Sequence, residues 1–214
     1  ETAMRLSNTT TSPQGIAPWI QTAGVFHRRR LRHGVMFCPA CLTETPSFKR
    51  QWRLSFVTVC EKHRIVLLDA CPHCDGPLEL HRQEYALLVC ARCGHNLDGS
   101  IETGVNRINK KALVAFQKKC LRALTKTATR INDKEVSVAE YFVSLRSIVS
   151  AIMKHDIKQE DFSHNRLSFE MARVEKRLQC IEVLSKQLEA NSALHLEAVL
   201  ELRKRQPVAL KDPA

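Results

Sequence analysis

The sequence contains no apolar run that approaches the ~20 residues of a membrane-spanning helix, and no stretch ordered like a signal peptide. It also has no G-x-x-x-x-G-K-[ST] phosphate loop, no G-x-S-x-G nucleophile turn and no H-E-x-x-H metalloprotease helix. Its one H-x-E tripeptide, His195-Leu196-Glu197, lies downstream of every Cys-x-x-Cys pair, the wrong order for a zinc deaminase. These lacks remove the usual signatures of nucleotide hydrolysis, serine chemistry and zinc-assisted hydrolysis. No catalytic residue is assigned, and the chain reads as a non-enzyme. A disulfide framework is also disfavoured, because the cysteines number nine, an odd count, and are spaced in pairs. The expectation is a reduced, cytoplasmic bacterial protein. The first residue is Glu1, from which we expect a fragment of a longer chain.

Positive charge is in excess, with 33 Lys and Arg against 22 Asp and Glu, a formal +11. The excess lies on both sides of the cysteine region. Residues 38–99 balance at seven basic and seven acidic, whereas residues 1–37 have five against one and residues 100–160 twelve against six. Such a distribution suggests nucleic acid or an acidic protein surface as partner.

Four two-residue-gap pairs stand between these basic flanks. They are Cys38/Cys41 in "CPAC", Cys60/His63 in "CEKH", Cys71/Cys74 in "CPHC" and Cys90/Cys93 in "CARC". A two-residue gap lets a tight turn aim both side chains at one ion, and zinc takes four such donors in a tetrahedron. Four pairs therefore fill two sites with nothing left over. The pairs can be joined consecutively or cross-braced. "GPLELHRQEYALLV", residues 76–89, reads as a hairpin returning Cys90 beside Cys74, which favours the consecutive scheme. A glycine follows soon after each of the last two pairs, as a tight turn needs. "RIVLLDA", residues 64–70, then becomes an apolar bridge between two modules. His33, His73, His81 and His95 read as surface or supporting residues. With every metal position filled by protein, a structural role is expected for two Zn²⁺.

Two basic segments are candidate nucleic-acid or partner surfaces. "FHRRRLRHG" carries Arg28, Arg29, Arg30 and Arg32 just ahead of the first pair, as phosphate contacts or as a charged linker. In "NRINKKALVAFQKKCLRALTKT", Ile108, Ala112, Phe116, Cys120 and Leu124 form one helical stripe, with Leu113 beside it. Lys110, Lys111, Lys118, Lys119 and Arg122 fall mostly on the opposite half. That face is either a docking surface or an ordinary solvated one. Ser137-Val-Ala-Glu140 is a capping box opening a helix with core positions Phe142, Leu145, Ile148 or Val149, and Ile152. A third helix is expected from about Phe169 to Ala190, with Met171, Val174, Leu178, Ile181, Leu184 or Ser185, and Leu188 inward. A fourth follows Ser192 and ends before Pro207, and the last two could form a helix-turn-helix over 168–206. Cys120 and Cys180 read as small buried hydrophobes.

The fold class expected is mainly α-helical, with two small zinc-ribbon or zinc-finger modules built on short β-hairpins. The divisions are 1–37, an N-terminal helix and basic linker left from a longer region; 38–70, a CCCH finger; 71–99, a CCCC ribbon; and 100–214, a helical domain.

The segment "FCPACLTETPSFKRQWRLSFVTVCEKHRIVLLDACPHCDGPL" resembles the core of the TniQ family. The motifs are Cys38-Pro39-Ala40-Cys41-Leu42, Trp52-Arg53-Leu54, Val57-Thr58-Val59-Cys60 with His63, and Leu67-Leu68-Asp69 leading into Cys71-Pro72-His73-Cys74. The resemblance is specific over about residues 36–99 and looser to about 155. It implies a target-selection factor for transposons that use a AAA+ regulator. Such factors bind an attachment site in DNA or join an RNA-guided CRISPR effector, and recruit the AAA+ ATPase. Members usually carry a helix-turn-helix-like region before the fingers; here residues 1–37 stand in that place. The partners implied are the ATPase and DNA or a CRISPR ribonucleoprotein, with no membrane and with homo-oligomerisation left open. The reading is an adaptor; the alternative is a sequence-specific DNA-binding protein that recognises an attachment site directly.

Overall fold

The computed structural model describes residues 17–21, 33–79, 88–98, 111–131, 134–155 and 168–190. Arg28, Arg29, Arg30, Arg32, Ile108, Lys110 and His81 lie outside them. So do the fourth expected helix, the second half of the expected helix-turn-helix and most of the expected 76–89 hairpin.

The described elements run α1 (Pro39–Glu44), a 3₁₀ turn (Arg50–Arg53), α2 (Lys111–Ala123), β1 (Ala128–Ile131), β2 (Lys134–Ser137), α3 (Val138–His155), a 3₁₀ turn (Phe169–Met171) and α4 (Val174–Ala190). The regular structure of the described residues is thus mainly helical, with one two-stranded sheet. The hairpin is antiparallel, Ala128 opposite Ser137 and Ile131 opposite Lys134. It sits between α2 and α3; in the metal modules, strand pairing among the described residues is limited to isolated bridges. The sequence cue was present: β-branched residues on both sides of Asn132-Asp133, which are turn formers.

Helix α3 starts where its capping box puts it. The Ser137 backbone N–H and Oγ donate to Glu140 Oε2 at 2.9 and 2.8 Å, and the Glu140 N–H donates back to Ser137 Oγ at 3.2 Å. Phe142, Leu145, Ile148, Val149 and Ile152 are all buried, as the periodicity requires. Replacing Ser137 by Ala is expected to cost about 1 kcal/mol of stability in urea unfolding. A loss under ~0.3 kcal/mol would show that water satisfies the same donors equally well.

Helices α2 and α3 both pack on α4. On α2 the buried face holds Leu113, Val114, Phe116, Cys120 and Ala123, while Ala112 and Leu124 are only half-buried. The stripe is therefore rotated from the expected one, toward Gln117, which is 1% exposed. The third expected helix is broken. Residues 169–171 form a 3₁₀ turn, Ala172 is extended, and α4 begins at Val174.

The break is set by buried polar partners. Glu170 takes a two-pronged grip from Arg146, Nε to Oε1 and Nη2 to Oε2 at 2.8 Å each, and accepts the Trp19 backbone N–H at 3.0 Å. The Trp19 indole donates to the Phe142 carbonyl at 3.0 Å, and its ring meets Phe56, Phe142 and Phe169 edge-on. Asp69 accepts the Val174 N–H at 2.7 Å, satisfying a donor at the start of α4 that has no partner within the helix. Arg177, fully buried, reaches the Ala172 and Ser55 carbonyls and lies 3.8 Å from Asp69. With its amide oxygen toward Arg177, Gln21 also accepts from the guanidinium and donates to the Gly34 carbonyl.

One buried cluster runs from Trp19 through Cys38, Cys60, Cys71 and Cys90 to Leu184. Most of its members lie in the cysteine segment and on α2, α3 and α4. The cysteine segment is seated on the helices from the N-terminal side by Trp19 and from the C-terminal side by Asp69.

Candidate metal centres

Two groups of donors converge. Cys38, Cys41, Cys60 and His63 form one, and Cys71, Cys74, Cys90 and Cys93 the other; within each, the four donor atoms lie within 4.8 Å of one another. The pairs are joined consecutively, and "RIVLLDA" connects the two groups. Ile65 and Leu67 are buried in the core, and Leu68 forms a bridge with Phe37.

Each group is built from turns that the sequence dictates. Cys38 is the N-cap of α1, with Pro39 at the first helical position, where a missing N–H costs nothing. Its Sγ accepts the Cys41 N–H at 3.4 Å. Two of the remaining three turns end in the second group and one in the first, and all three repeat a single design. The N–H of Cys60, Cys71 and Cys90 donates to the carbonyl five residues on, and its carbonyl accepts from the residue four on. That fourth residue has positive φ in every case: Arg64 at 58°, Asp75 at 50° and Gly94 at 72°. The expectation that a glycine makes each turn holds for Gly94. In "CPHCDG" the left-handed residue is Asp75, not Gly76. Gly76 serves another purpose: a Cβ there would meet Arg92 Cδ at 2.6 Å, so its bare backbone makes room for that side chain.

The distances fit a tetrahedral ion. Zinc–thiolate bonds of ~2.3 Å place sulfurs about 3.8 Å apart along a tetrahedral edge. Cys41 and Cys60 Sγ are 3.6 Å apart, Cys71 and Cys93 3.7 Å, and Cys74 and Cys90 3.8 Å. His63 Nδ1 stands 3.4 Å from Cys38 and Cys41 Sγ and 3.7 Å from Cys60 Sγ. Both groups could hold a metal ion, and the donor chemistry is consistent with zinc.

The surroundings of the first group support this. The other ring nitrogen of His63 lies 3.1 Å from Glu44 Oε1, the carboxylate–histidine pairing that orients a ligating imidazole. Glu44's carboxyl is held below its usual range by Lys62 and then by His63. Lys49 Nζ donates to Cys41 Sγ at 3.1 Å. The Cys38 thiol is pushed up by its hydrogen bond with Cys60 and by burial, while that same bond pulls Cys60 down to about 4. Without an ion, one sulfur must keep a proton so that its neighbour can be anionic; a divalent cation serves all of them. In the second group burial pushes the Cys71 thiol up to about 12. That group is more open, with Cys74 and Cys93 exposed.

Of the candidate basic residues, Lys111, Lys119 and Arg122 are exposed on α2. Lys118 is half-buried and pairs with Glu61 at 2.8 Å. His73 and His95 stack on each other, ring centres 5.2 Å apart, and stand outside both groups. His33 lies against Arg173, 3.4 Å from its guanidinium. Sequence reasoning missed Gln117, which donates to the Val59 carbonyl at 2.7 Å and accepts the Thr58 and Val59 N–H groups at 3.0 and 3.2 Å. This holds the strand that delivers Cys60. The signal was a glutamine one turn after Leu113, on the apolar side of an otherwise basic helix.

Among the described residues, no helix is long and apolar enough to cross a membrane. No curated protein and no solved structure matches the chain. A family model does match, over residues 2–67. It takes in the first metal-ligand group, reaches further toward the N-terminus than the motif resemblance at 36–99, and stops ahead of the second group. That model is TniQ, the family whose motifs the cysteine segment resembles.

Proposed function

We propose that this chain is a non-catalytic target-selection adaptor of transposition, linking a DNA-site or RNA-guided CRISPR targeting complex to a AAA+ transposition regulator. The observation that carries this reading is the TniQ match over residues 2–67. Each donor group would hold one structural Zn²⁺, with Cys38, Cys41, Cys60 and His63 as ligands in the first and Cys71, Cys74, Cys90 and Cys93 in the second. Four protein donors at each ion leave no position for a reacting water, which favours scaffolding over catalysis. The zincs would fix the turns, and the helices would supply docking surface. Arg28, Arg29, Arg30, Arg32, Lys110, Lys111, Lys118, Lys119 and Arg122 are the proposed basic contacts.

In this reading the chain binds DNA through phosphates alone and takes its specificity from the partner it joins. A competition assay at ~150 mM salt, with fragments of the native insertion locus against scrambled DNA, tests it. Little preference is expected. A protein that reads bases binds its own site ~10³-fold or more tightly than random DNA. A preference of that size would overturn the adaptor reading in favour of direct recognition of an attachment site.

A further inference from the structure

Beside the first donor group lies a cleft of about 290 Å³ whose walls include Lys49, Lys62, Lys118, Glu61, Gln51 and Trp52. The three lysines come from three separate elements. Lys49 immediately precedes the 3₁₀ turn, Lys62 sits inside the Cys60/His63 turn, and Lys118 projects from α2. Each is pinned by one acceptor: Cys41 Sγ at 3.1 Å, Glu44 at 2.6 Å and Glu61 at 2.8 Å. Three lysines thus line one small volume whose negative groups are Glu61 and the Cys60 thiolate.

Resting on the phosphate contacts proposed above, we propose that this cleft binds the phosphate backbone of a nucleic-acid strand. The choice over an acidic protein rests on the floor of the cleft. Trp52 is 1% exposed, with Lys49 across its ring 5.5 Å from the centroid. It offers no face to stack a base or to anchor a peptide side chain. Protein partners draw most of their affinity from such buried anchors; a phosphate needs only cations, and lysine serves it as a point charge. Outside the cleft on α2, Lys111 and Arg122 lie seven residues before and four after Lys118, on the same side of the helix. Among the described residues neither has an ion-pair partner. Glu61 acts as a built-in competitor, occupying Lys118 until a phosphate displaces it.

The test uses the full chain with its metal, a labelled random-sequence DNA duplex and a single-stranded RNA of the same length, titrated across salt. Lys62→Gln/Lys118→Gln is expected to weaken binding about tenfold at low salt. The slope of log affinity against log salt should shrink by roughly 1.8 on the duplex, two phosphate contacts at ~0.9 each. Glu61→Gln is expected to tighten binding, the opposite sign, because it frees Lys118. Metal content and circular dichroism confirm that each variant is folded. Loss on either strand supports the site and identifies which strand it holds. An equal loss from Lys176→Gln/Lys186→Gln on α4 would overturn it, since net charge would then suffice. So would unchanged nucleic-acid binding, or weakened binding only to a polyglutamate peptide, which would mark an acidic-protein site instead.

Discussion

Metal analysis of the purified chain is expected to return two zinc ions per molecule, and one from a Cys71→Ala variant that keeps its helical circular dichroism. Cys38→Ala is expected to behave differently: it too loses one ion, but with it much of the cooperative unfolding transition. The asymmetry follows from burial. In the first group all three cysteines belong to the continuous core beside Phe37, Leu42 and Val59; in the second only Cys71 and Cys90 do, and Cys74 and Cys93 face solvent. A structural zinc supplies ~10 kcal/mol or more of folding free energy in small modules. That is as large as the whole stability of an ordinary domain, about 5–15 kcal/mol, so the first site cannot be emptied without losing the fold around it. Because the ligands must be thiolates, acidification competes protons against metal, and both ions are expected to leave as pH falls. If Cys38→Ala also stripped the metal from the second group, the two sites would be cross-dependent in a way the consecutive geometry does not provide. A single zinc in the unaltered chain would refute the two-site assignment.

The second large effect is expected at Asp69. Its carboxylate accepts from the Val174 N–H at 2.7 Å and from Arg173 Nε at 3.1 Å, and sits 3.8 Å from the buried Arg177. Asp69→Ala would leave Arg177 with no carboxylate of its own in the core and α4 without its first acceptor. Removing one partner of a buried pair costs ~3–5 kcal/mol. Burial already pulls the Arg177 guanidinium down to about 10, a sign of how little solvent it sees. Asp69→Asn should cost less, because an amide oxygen can still accept the Val174 N–H. The double replacement Asp69→Asn/Arg177→Leu should recover part of the loss, since it removes the stranded charge. Urea unfolding followed by circular dichroism measures all four proteins. A loss below ~1 kcal/mol for Asp69→Ala would show that Ser55, Ala172 and Gln21 satisfy Arg177 without the carboxylate.

What the sequence revealed follows from how local its signals are. A two-residue gap between donors is a local pattern, and the eight donors converge in the two groups that the consecutive scheme joins. The Ser137/Glu140 box is equally local, and α3 begins beside it. The connections from the cysteine segment to the helices are of another kind. Gln117, Asp69, Glu170 and Arg177 are polar, and in a periodicity argument a polar residue is assigned to solvent. Each is instead buried because a specific partner far along the chain offsets its lost hydration. Trp19 was hidden for a related reason: the chain ahead of it is rich in threonine, serine and glutamine, and the short run Ile16-Ala17-Pro18-Trp19-Ile20 has neither helical nor strand periodicity. The break before Val174 was invisible too, since Met171 and Val174 both fit a continuous helical stripe and only the far-off Asp69 decides where the helix starts.

Trp19 also fixes an order of events during synthesis. Its two N–H groups are satisfied by Phe142 and Glu170, 123 and 151 residues later. The ligands of the first site are all translated by His63, so a nascent chain can gather that ion early. Gln117 is made well after the strand it grips, and Glu170 and Val174 later still. Until the ribosome has passed Phe142, the N-terminal segment has an indole with no acceptor, and until it has passed Val174 the metal turn has a carboxylate with no helix to cap. Closing loops this long is slow. A chain that stops before Phe142 should therefore carry the first zinc and yet leave Trp19 in water, with the red-shifted fluorescence of an exposed indole.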